Sequence, residues 1–452
     1  MSFIINFFNT ILIRLSMLCS ALVGLGCLVV TGAKAAMGSG GSVGDRLKNA
    51  LTTPAAQLHI FAVLRLFAPN IVLKKQFVTA YPNNGTAFVT RFSDVKDVLE
   101  RDEDFAVVYE PRMRQITSGA NFFLGMQDTP EYTRDTSTMR LTMRREDVAT
   151  KVLPFCTAQA NALVEATNGT IDVPQQLSLR VPSLMVGDYF GTPGPSEAEL
   201  IRWTTLMFWY LFIDLQADPK LGEQALDAAR QTCAYLDATI AARKASGEQK
   251  DDVLGRCLVL QQAGQPGMDD LGIRNNLIGL MIGAVPTISK ACVQALDQLL
   301  ARPDALAGAQ SAARLGNDAL LGAYVFEALR FNPVNPVIYR RAVRDTVVGT
   351  GTLRQRTVPE GTLVMAGNLS AMFDPQIVHA PSTFRADRPW SNYILWGDAL
   401  HVCFGAHINA AVIPAILKPL LTKNNLRRAA GSAGQIDTGN TPFPQHFHVE
   451  WN

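Results

Sequence analysis

The sequence has few of the features that mark metal clusters, disulfide frameworks or nucleic-acid binding. Its seven cysteines are scattered at positions 19, 27, 156, 233, 257, 292 and 403, without a CxxC pair or a zinc-type cluster. The odd number and wide spacing argue against a disulfide framework and favour a reducing compartment for the body of the chain. Basic and acidic residues nearly balance, 41 against 39, so no nucleic-acid partner is expected.

Two further absences narrow the function. No internal repeat of fixed period is visible, which argues against solenoids and propellers. No GxGxxG motif follows a strand-like segment, so the chain shows no sign of its own flavin or nicotinamide domain. The 452 residues are 48% hydrophobic and 18% charged, which predicts an ordered globular protein. The formal net charge of only +2 favours a neutral, apolar ligand.

The N-terminus is a long apolar segment. The run "FIINFFNTILIRLSMLCSALVGLGCLVV" is long enough to span a bilayer. We predict a membrane anchor over residues 1–36, a flexible linker over residues 37–56, which contain "MGSGGS", and the main domain over residues 57–452. The protein would then be membrane-anchored with a cytoplasmic main domain. The alternatives are a cleaved export signal and a true start at Met37.

The spacing of apolar residues predicts a mainly α chain with a minor β-sheet. A short hairpin is predicted in "IVLKKQFVTAYPNNGTAFVTRF", with a turn at Asn-Asn-Gly. From about residue 130 to 330, apolar residues recur every three or four positions, which is typical of helices. Short strand-like runs such as "TVPEGTLVMAGN" follow, and then a helix in "NAAVIPAILKPLLTK".

One cysteine has unusual neighbours. Cys403 lies in "WGDALHVCFG", between a glycine-bearing loop and a run that predicts a helix. The free backbone N–H groups at a helix start favour an ionised thiolate, which is a strong ligand for iron. Gly397 and Gly405 would let the backbone approach a flat cofactor. The pattern therefore indicates a haem-thiolate site rather than a zinc site.

This loop resembles the haem-binding loop of the cytochrome P450 family, aromatic-Gly-x-Gly-x-His/Arg-x-Cys-x-Gly. The matching residues are Trp396, Gly397, His401, Cys403 and Gly405. Ala399 replaces the second glycine. Upstream, Glu327 and Arg330 are spaced as in the ExxR helix of the family, where they can pair. Arg388 in "FRADRPW" matches the arginine that joins them, and "TVPEGTLV" and "AMFDP" resemble family segments in the same order.

The resemblance implies a P450 fold, a triangular, helix-rich haem-thiolate catalytic domain over residues 57–452 around a buried haem b (iron protoporphyrin IX). Cys403 would be the axial thiolate ligand, within a loop formed by Trp396, Gly397 and Gly405. His401 and Arg340 would contact the haem propionates, since charged donors suit carboxylates. Glu327, Arg330 and Arg388 would support the fold beneath the cofactor.

In many bacterial members another propionate contact comes from a helix that follows "DPPEHTRLR". The corresponding segment here is "DTPEYTRDTSTMRLTMRRED". Tyr132 stands where histidine is expected, and Thr136 stands where the second arginine falls. We predict that Arg134 or Arg140 substitutes.

The helix expected over the distal haem face departs most from the family pattern. Members carry an acid followed by a threonine, a pair that delivers protons during oxygen activation. The matching segment "LMIGAVPTISKA" has Pro286 at the acid position and Thr287 at the alcohol, with Gly283 and Ala284 as the small residues that make room for oxygen. Either the relay is replaced or dispensed with, or Pro286 merely kinks a core helix and Thr287 caps the carbonyl that proline frees.

The resemblance leaves several functions open. The first is a monooxygenase acting on a small hydrophobic or lipid-like substrate, with electrons from a separate ferredoxin or flavin reductase. The second is a peroxide-dependent peroxygenase or a lipid-hydroperoxide isomerase or lyase, which needs no proton relay. The third is a non-catalytic haem protein. Val285 stands where related peroxygenases place an arginine, so a carboxylate anchor is not expected there. The segment "RWTTLMFWYLFIDL" is predicted to be core or part of a pocket entrance.

Overall fold

The computed structural model describes residues 2–39 and 41–452, with side chains from residue 11 onward in those ranges. The helices are Ser2–Met37 (α1), Val43–Leu51 (α2), Pro54–Phe67 (α3), Phe92–Glu100 (α4), Glu110–Ile116 (α5), Pro130–Thr142 (α6), Leu153–Glu165 (α7), Arg180–Met185 (α8), Glu197–Phe208 (α9), Pro219–Ser246 (α10), Val253–Gln262 (α11), Asp270–Leu300 (α12), Pro303–Arg314 (α13), Asp318–Phe331 (α14), Asn368–Ala371 (α15) and Ala406–Leu421 (α16). The strands are Asn70–Leu73 (β1), Thr86–Val89 (β2), Phe105–Ala106 (β3), Thr170–Asp172 (β4), Ile338–Ala342 (β5), Thr346–Val348 (β6), Arg356–Val358 (β7), Leu363–Ala366 (β8), Arg427–Arg428 (β9) and His448–Glu450 (β10). The predicted fold class, mainly α with a minor β-sheet, is confirmed.

Many helices begin at a capping residue with a short polar side chain. Ser, Thr or Asp side chains accept a hydrogen bond from a backbone N–H in the first turn, which would otherwise lack a partner. These caps are Ser42, Thr53, Thr129, Ser196 and Asp269. Short polar residues before apolar runs therefore set where α2, α3, α6, α9 and α12 begin.

The chain divides into two compact units. The first comprises Met1–Phe77, Asn83–Ala106 and Arg330–Leu400, and the second comprises Val78–Pro82, Val107–Leu329 and His401–Asn452.

The first unit is built on a five-stranded sheet in the order β1-β2-β8-β5-β3. Strand β2 pairs in parallel with β8, and the other neighbours in the sheet are antiparallel. The hydrophobic core of this unit includes Val89, Leu99, Phe331, Val364 and Phe373. Since parallel strands are joined by long connections, the sheet joins segments that are far apart in the sequence.

The predicted hairpin is present, but its turn lies elsewhere. Strands β1 and β2 pair antiparallel with Asn70 opposite Val89, and a 12-residue connection, residues 74–85, joins them rather than a tight Asn-Asn-Gly turn. The amide of Asn84 donates instead to the carbonyl of Glu360, 2.7 Å away. The asparagine thus ties the connection to the turn before β8.

Helix α12 is the long buried helix of the second unit. It packs against α8, α9, α10, α13 and α16, and most of its side chains are buried. Gly279 allows a close approach, because a Cβ there would lie 2.6 Å from the Phe122 ring. A three-stranded sheet in the order β4-β10-β9 also belongs to this unit. The central position of α12 makes its substitutions the ones most able to affect a site.

The N-terminal helix α1 packs along α3 with one face. Met17 and Ala21 are buried, and a Cβ on Gly24 would lie 3.0 Å from the carbonyl oxygen of His59. Other apolar side chains of α1 are exposed, among them Leu12, Leu22, Val23 and Val29. Such an apolar surface suits a lipid or protein environment rather than water.

Among the described residues, two helices are long and apolar enough to cross a membrane, or three if α2 and α3, bent by 77°, count as one. The window in Asp270–Leu300 is 83% buried and belongs to the core, whereas the window in Ile11–Met37 is 17% buried. The interval 37–56, predicted to be a flexible linker, contains α2 and the start of α3. The division at residues 36 and 56 stays a prediction.

Candidate haem-thiolate site

Cys403 lies in the turn that leads into α16. Its carbonyl accepts a hydrogen bond from the N–H of Ala406 at 3.1 Å, and the side-chain amide of Asn409 lies 4.0 Å from its sulfur. Burial raises the pKa of the Cys403 thiol, while the Gly405 N–H and the charge of Arg140 act to lower it. The backbone and Arg140 therefore favour the thiolate that a bound iron would require.

Arg140 connects α6 to the segment after Cys403. Its guanidinium donates to the carbonyl of Phe404 at 2.9 Å and stands 3.7 Å from the centre of the Phe404 ring. It also lies 3.4 Å from Nδ1 of His407. The Phe404 ring packs in turn against Phe123, with ring centres 4.8 Å apart. Arg140 thus fixes the residue that follows the predicted iron ligand.

Arg134, the other candidate for the additional propionate contact, lies differently. It forms an ion pair with Asp135 at 2.7 Å and packs against Gly267. Within the part of the chain that the structure describes, Arg140 contacts the segment around Cys403 and Arg134 does not. The contact of either one with a propionate stays a prediction.

The side chain of Tyr132 packs against His401, which is predicted to contact a haem propionate. The rings of Tyr132 and His401 are 5.1 Å apart and meet edge to face. Tyr132 is buried at 8% exposure, while His401 is partly exposed. An edge-to-face contact limits the ring orientations open to His401. Tyr132 therefore helps to orient His401.

The middle of α12 has an exposed opening in an otherwise buried helix. Gly283 is exposed although Ile282 and Ala284 on either side are buried, and a Cβ on Gly283 would meet no atom within 4 Å. Thr287, one turn later, is half-buried. Its hydroxyl donates to the carbonyl of Gly283 and lies 3.4 Å from that of Ala284. Gly283 thus leaves the surface of α12 beside the Thr287 hydroxyl free of a side chain.

The alternative in which Thr287 caps the carbonyl freed by proline is wrong in its detail. Proline at 286 lacks the N–H that would reach the carbonyl of Ile282. A helical threonine hydroxyl reaches the carbonyl four residues before it, which for Thr287 is Gly283. Helix α12 nevertheless runs unbroken from Asp270 to Leu300.

Pro286 faces a cavity of about 620 Å³ in the second unit. Its lining includes Ile201, Arg202, Leu206 and Trp209, from the aromatic segment predicted to be core or pocket entrance. Parts of that segment are buried, including Trp203 and Met207. The buried side chains of the segment belong to the core, and its role as a pocket entrance stays a prediction. The position at which the resemblance predicts an acid is here an apolar part of a cavity wall.

In the first unit, Arg330 and Arg388 meet at one carbonyl. Arg388 donates to the carbonyl of Thr383 at 2.7 Å, and Arg330 donates to the same oxygen at 3.4 Å. Both side chains are buried, at 9% and 0% exposure. Glu327, one turn before Arg330 on α14, is also fully buried. The two arginines therefore organise the loop before Arg388, and their role beneath a cofactor stays a prediction.

The remaining predicted residues of the first unit lie on β5 and in the loop before Leu400. Arg340 is buried on β5, with Nη1 donating to the carbonyl of Tyr339 at 3.0 Å. Trp396 packs against Trp390, with ring centres 5.0 Å apart. Gly397 and Ala399 have positive φ, 79° and 56°. Ala399 thus adopts a left-handed conformation, which is unfavourable for an L-residue with a Cβ.

The residues of the second unit fit a thiolate-ligated haem. Cys403 supplies the sulfur, and Gly283 and Gly405 both face open space where a Cβ would meet no atom within 4 Å. Helix α12 carries the opening at Gly283, and helix α16 follows Cys403. The two helices pack against each other. A glycine at each of these positions leaves the backbone accessible, which suits a flat cofactor. The predicted role of each residue toward that cofactor stays a prediction.

Sequence reasoning missed three neighbours of the site. Phe404 is held between Arg140 and Phe123, Asn409 approaches the Cys403 sulfur, and His407 packs beside Arg140. Burial, and then the charges of Arg140 and Arg145, lower the pKa of His407 to about 4. The signal for Asn409 and His407 was their spacing, because residues in the first turn of α16 point back toward its start.

Comparison with known proteins supports the resemblance. The sequence profile of the family described as "Cytochrome P450" matches residues 75–394, a range that ends before Cys403. Cytochrome P450 144 of Mycobacterium tuberculosis is 27% identical over 272 residues, which are 60% of this chain and 58% of that protein. The chain thus matches less than two thirds of that relative's length. Steroid C26-monooxygenase of Mycolicibacterium smegmatis is 24% identical over 348 residues, 76% of this chain and 80% of that protein.

The fold is also similar to solved structures. Cytochrome P450 CYP109Q5 from Chondromyces apiculatus superposes with a TM-score of 0.70 at 19% identity, covering 87% of this chain and 94% of that chain. At this identity the likeness concerns the fold alone. Since the family profile covers more than half of the sequence, the chain belongs to the cytochrome P450 family.

Proposed function

We propose that the protein is a haem-thiolate monooxygenase that inserts one oxygen atom into a small hydrophobic, lipid-like substrate. The observation that carries the proposal is the presence, in one compact unit, of Cys403 at the start of α16 and of the Gly283–Thr287 opening in α12. A haem b bound through the Cys403 thiolate would supply oxygen activation and oxygen-atom transfer. The chain itself supplies the ligand, the proton donors and the shape of the pocket.

Thr287 is the proposed proton donor of the opening. Its hydroxyl donates to the Gly283 carbonyl, and its oxygen keeps lone pairs that can accept from water. A proton can therefore pass through this hydroxyl when it turns away from the carbonyl. Pro286 offers no carboxylate to resupply it, so that proton has to come from water or from another side chain.

The partner of a monooxygenase of this kind is a separate electron donor, a ferredoxin or a flavin reductase. Beside Arg140 lies a cavity of about 1030 Å³ lined by Arg144, Arg145, Lys250 and Arg256, with Glu146 and Asp251 as its acids. Arg144, Arg145 and Lys250 are exposed. A positive surface next to the segment of Cys403 favours an acidic docking partner.

The exposed apolar face of α1 supports a membrane anchor, with the catalytic domain on the cytoplasmic side. A long apolar helix that is only 17% buried over its window leaves most of its surface for lipid. An anchor would bring the domain to substrates that partition into the bilayer.

The second candidate is a peroxide-dependent enzyme, either a peroxygenase or a lipid-hydroperoxide isomerase or lyase. Pro286 is the observation that favours it, because a substrate that already contains an O–O bond needs less proton delivery. Val285 is fully buried, and the absence of a carboxylate anchor at position 285 stays an expectation.

The deciding experiment is turnover of apolar substrates by haem-loaded protein in two arms. One arm contains dioxygen, NADPH and a surrogate reductase system, and the other contains hydrogen peroxide or a lipid hydroperoxide alone. The monooxygenase proposal predicts products in the first arm, lost in Thr287→Ala and kept in Thr287→Ser, which retains the hydroxyl. Products in the peroxide arm alone would establish the second candidate, and none in either arm would indicate a non-catalytic haem protein.

A further inference from the structure

The first 77 residues of the chain have a charge balance of their own. Of the 41 basic and 39 acidic residues in the protein, seven basic residues and one acidic residue lie there, which leaves 34 basic and 38 acidic residues elsewhere. Several of these basic side chains are exposed and form no ion pair within the part of the chain that the structure describes: Arg14, Lys34, Lys48, Lys74 and Lys75. This stretch is therefore positively charged and complements an anionic surface.

Helix α1 has one face that packs on α3 and an opposite face that is exposed and apolar. Met17 and Ala21 are buried on the packed face. Leu15, Leu22 and Val29, spaced by seven residues on the opposite face, are exposed by 51%, 55% and 70%. An apolar face that continues over several turns is stabilised by contact with lipid.

The middle and the C-terminal end of α1 are both held by the helices that follow it. A Cβ on Gly24 would lie 3.0 Å from the carbonyl oxygen of His59, so the backbones of α1 and α3 are in close contact. Arg46 of α2 donates to the carbonyl of Ala35 at 2.8 Å and to that of Ala36 at 3.0 Å. Helix α1 is thus a packed part of the first unit over more than half of its length.

This packing is incompatible with α1 crossing a bilayer. The candidate span Ile11–Met37 has its midpoint at Gly24, and Met17 lies about 10 Å from that midpoint along the helix axis. The Met17 sulfur is 3.5 Å from Nη1 of Arg91, which pairs with Asp374 at 2.7 Å. Since the hydrocarbon core extends about 15 Å to each side of its centre, a crossing would place this ion pair in hydrocarbon, where charged groups are unfavourable.

We propose that α1 anchors the protein to an anionic lipid bilayer as an in-plane helix that enters one leaflet and does not cross it. The exposed apolar face lies among the lipids, and the basic side chains of the first 77 residues contact lipid phosphates. The proposal rests on the membrane anchor of the proposed function and specifies its topology. Both ends of α1 then stay on one side of the bilayer.

The test measures the depth of three positions of α1 in vesicles of phosphatidylcholine and phosphatidylglycerol. Full-length, haem-loaded protein carries a fluorescent label at one cysteine, in Leu15→Cys, Leu22→Cys or Val29→Cys, with Cys19→Ser and Cys27→Ser as the background. Lipids that carry a quencher at different depths then locate each label. The three depths should agree within about 3 Å, because an in-plane helix keeps one face at one level. A label at position 22 that lies about 10 Å deeper than the label at position 15, as the rise of a crossing helix requires, would overturn the proposal.

A second measurement tests the contact with lipid phosphate. Lys34→Gln should bind the phosphatidylglycerol vesicles about fivefold more weakly than wild type, the scale of one cation near an anionic membrane. Lys220→Gln is the matched control, because Lys220 is an exposed lysine of α10 outside the first unit, and it should bind like wild type. Equal binding of wild type to vesicles with and without phosphatidylglycerol would overturn the role of anionic lipid.

The outcomes separate this proposal from the proposed function. Absence of binding to any vesicle would overturn the anchor and the in-plane topology together. Graded depths would overturn the topology alone and leave the anchor in place. Oxygen insertion is measured separately, by turnover, so its failure would change neither the depths nor the lipid preference.

Discussion

Arg388 is expected to be a main stabilising residue of the first unit. Its guanidinium donates to the carbonyls of His379 at 2.6 Å, Ala380 at 2.8 Å and Thr383 at 2.7 Å. The planar fork of arginine suits several acceptors at once, which lysine cannot reproduce. Replacing Arg388 by methionine keeps an apolar stem of similar length and removes every donor.

The loss can be worked out from these three bonds. A hydrogen bond to a charged group contributes about 1.5 to 3 kcal/mol, so three bonds set an upper range of about 4.5 to 9 kcal/mol. The three acceptor residues are exposed, and their carbonyls regain part of this from water. We therefore expect Arg388→Met to lower the free energy of unfolding by about 2 to 4 kcal/mol, and Arg388→Lys to lower it by less.

The assay is urea unfolding monitored by circular dichroism. A shift of the midpoint with an unchanged m-value reports a change in stability. Arg356→Met is the matched control, because Arg356 is exposed on β7 and its guanidinium donates to the carbonyl of neighbouring Gln355. The control should unfold at the wild-type midpoint. A midpoint of Arg388→Met equal to that of the control would refute the argument that these bonds organise the loop.

Three further changes have defined outcomes. Pro286→Asp should raise the product formed per NADPH consumed in the reductase arm, because it restores an acid beside Thr287; an unchanged ratio would mean that protons enter elsewhere. The pKa of His407 in the folded protein lies below its value in the unfolded chain. The neutral imidazole therefore contributes to stability above about pH 6.5, and this contribution is lost as the pH falls toward about 4. The free energy of unfolding of His407→Phe, measured with urea, should fall less with decreasing pH than that of wild type. Ala399→Val should lower the free energy of unfolding by about 1 kcal/mol, since a β-branched residue tolerates positive φ poorly, whereas Ala399→Gly should unfold no earlier than wild type.

The sequence predicted the parts of the site that depend on short motifs. Pro286 and Thr287 lie within α12 and Cys403 lies just before α16, where the local pattern placed them; their roles toward a haem stay predictions. These predictions needed only local structure.

The rest depends on contacts between distant segments. Nothing in the order of residues separates Arg134 from Arg140, yet only the second reaches Phe404, 264 residues later. Lys290 and Phe443 meet only because α12 and the segment before β10 fold together. The positive φ of Ala399 was not expected either, because the backbone of the loop overrides the preference of alanine.

The central claim is that Cys403 provides the thiolate ligand of a bound haem. It is tested most directly by the absorption spectrum of the reduced, carbon monoxide-treated, haem-loaded protein, recorded for wild type, Cys403→Ser and Cys19→Ser. Cys19 is an exposed cysteine of α1, which makes its variant the control for loss of a thiol. The account predicts the red-shifted Soret band of thiolate ligation in wild type and Cys19→Ser and its loss in Cys403→Ser. A thiolate spectrum that survives in Cys403→Ser, or that is absent from wild type, would contradict it.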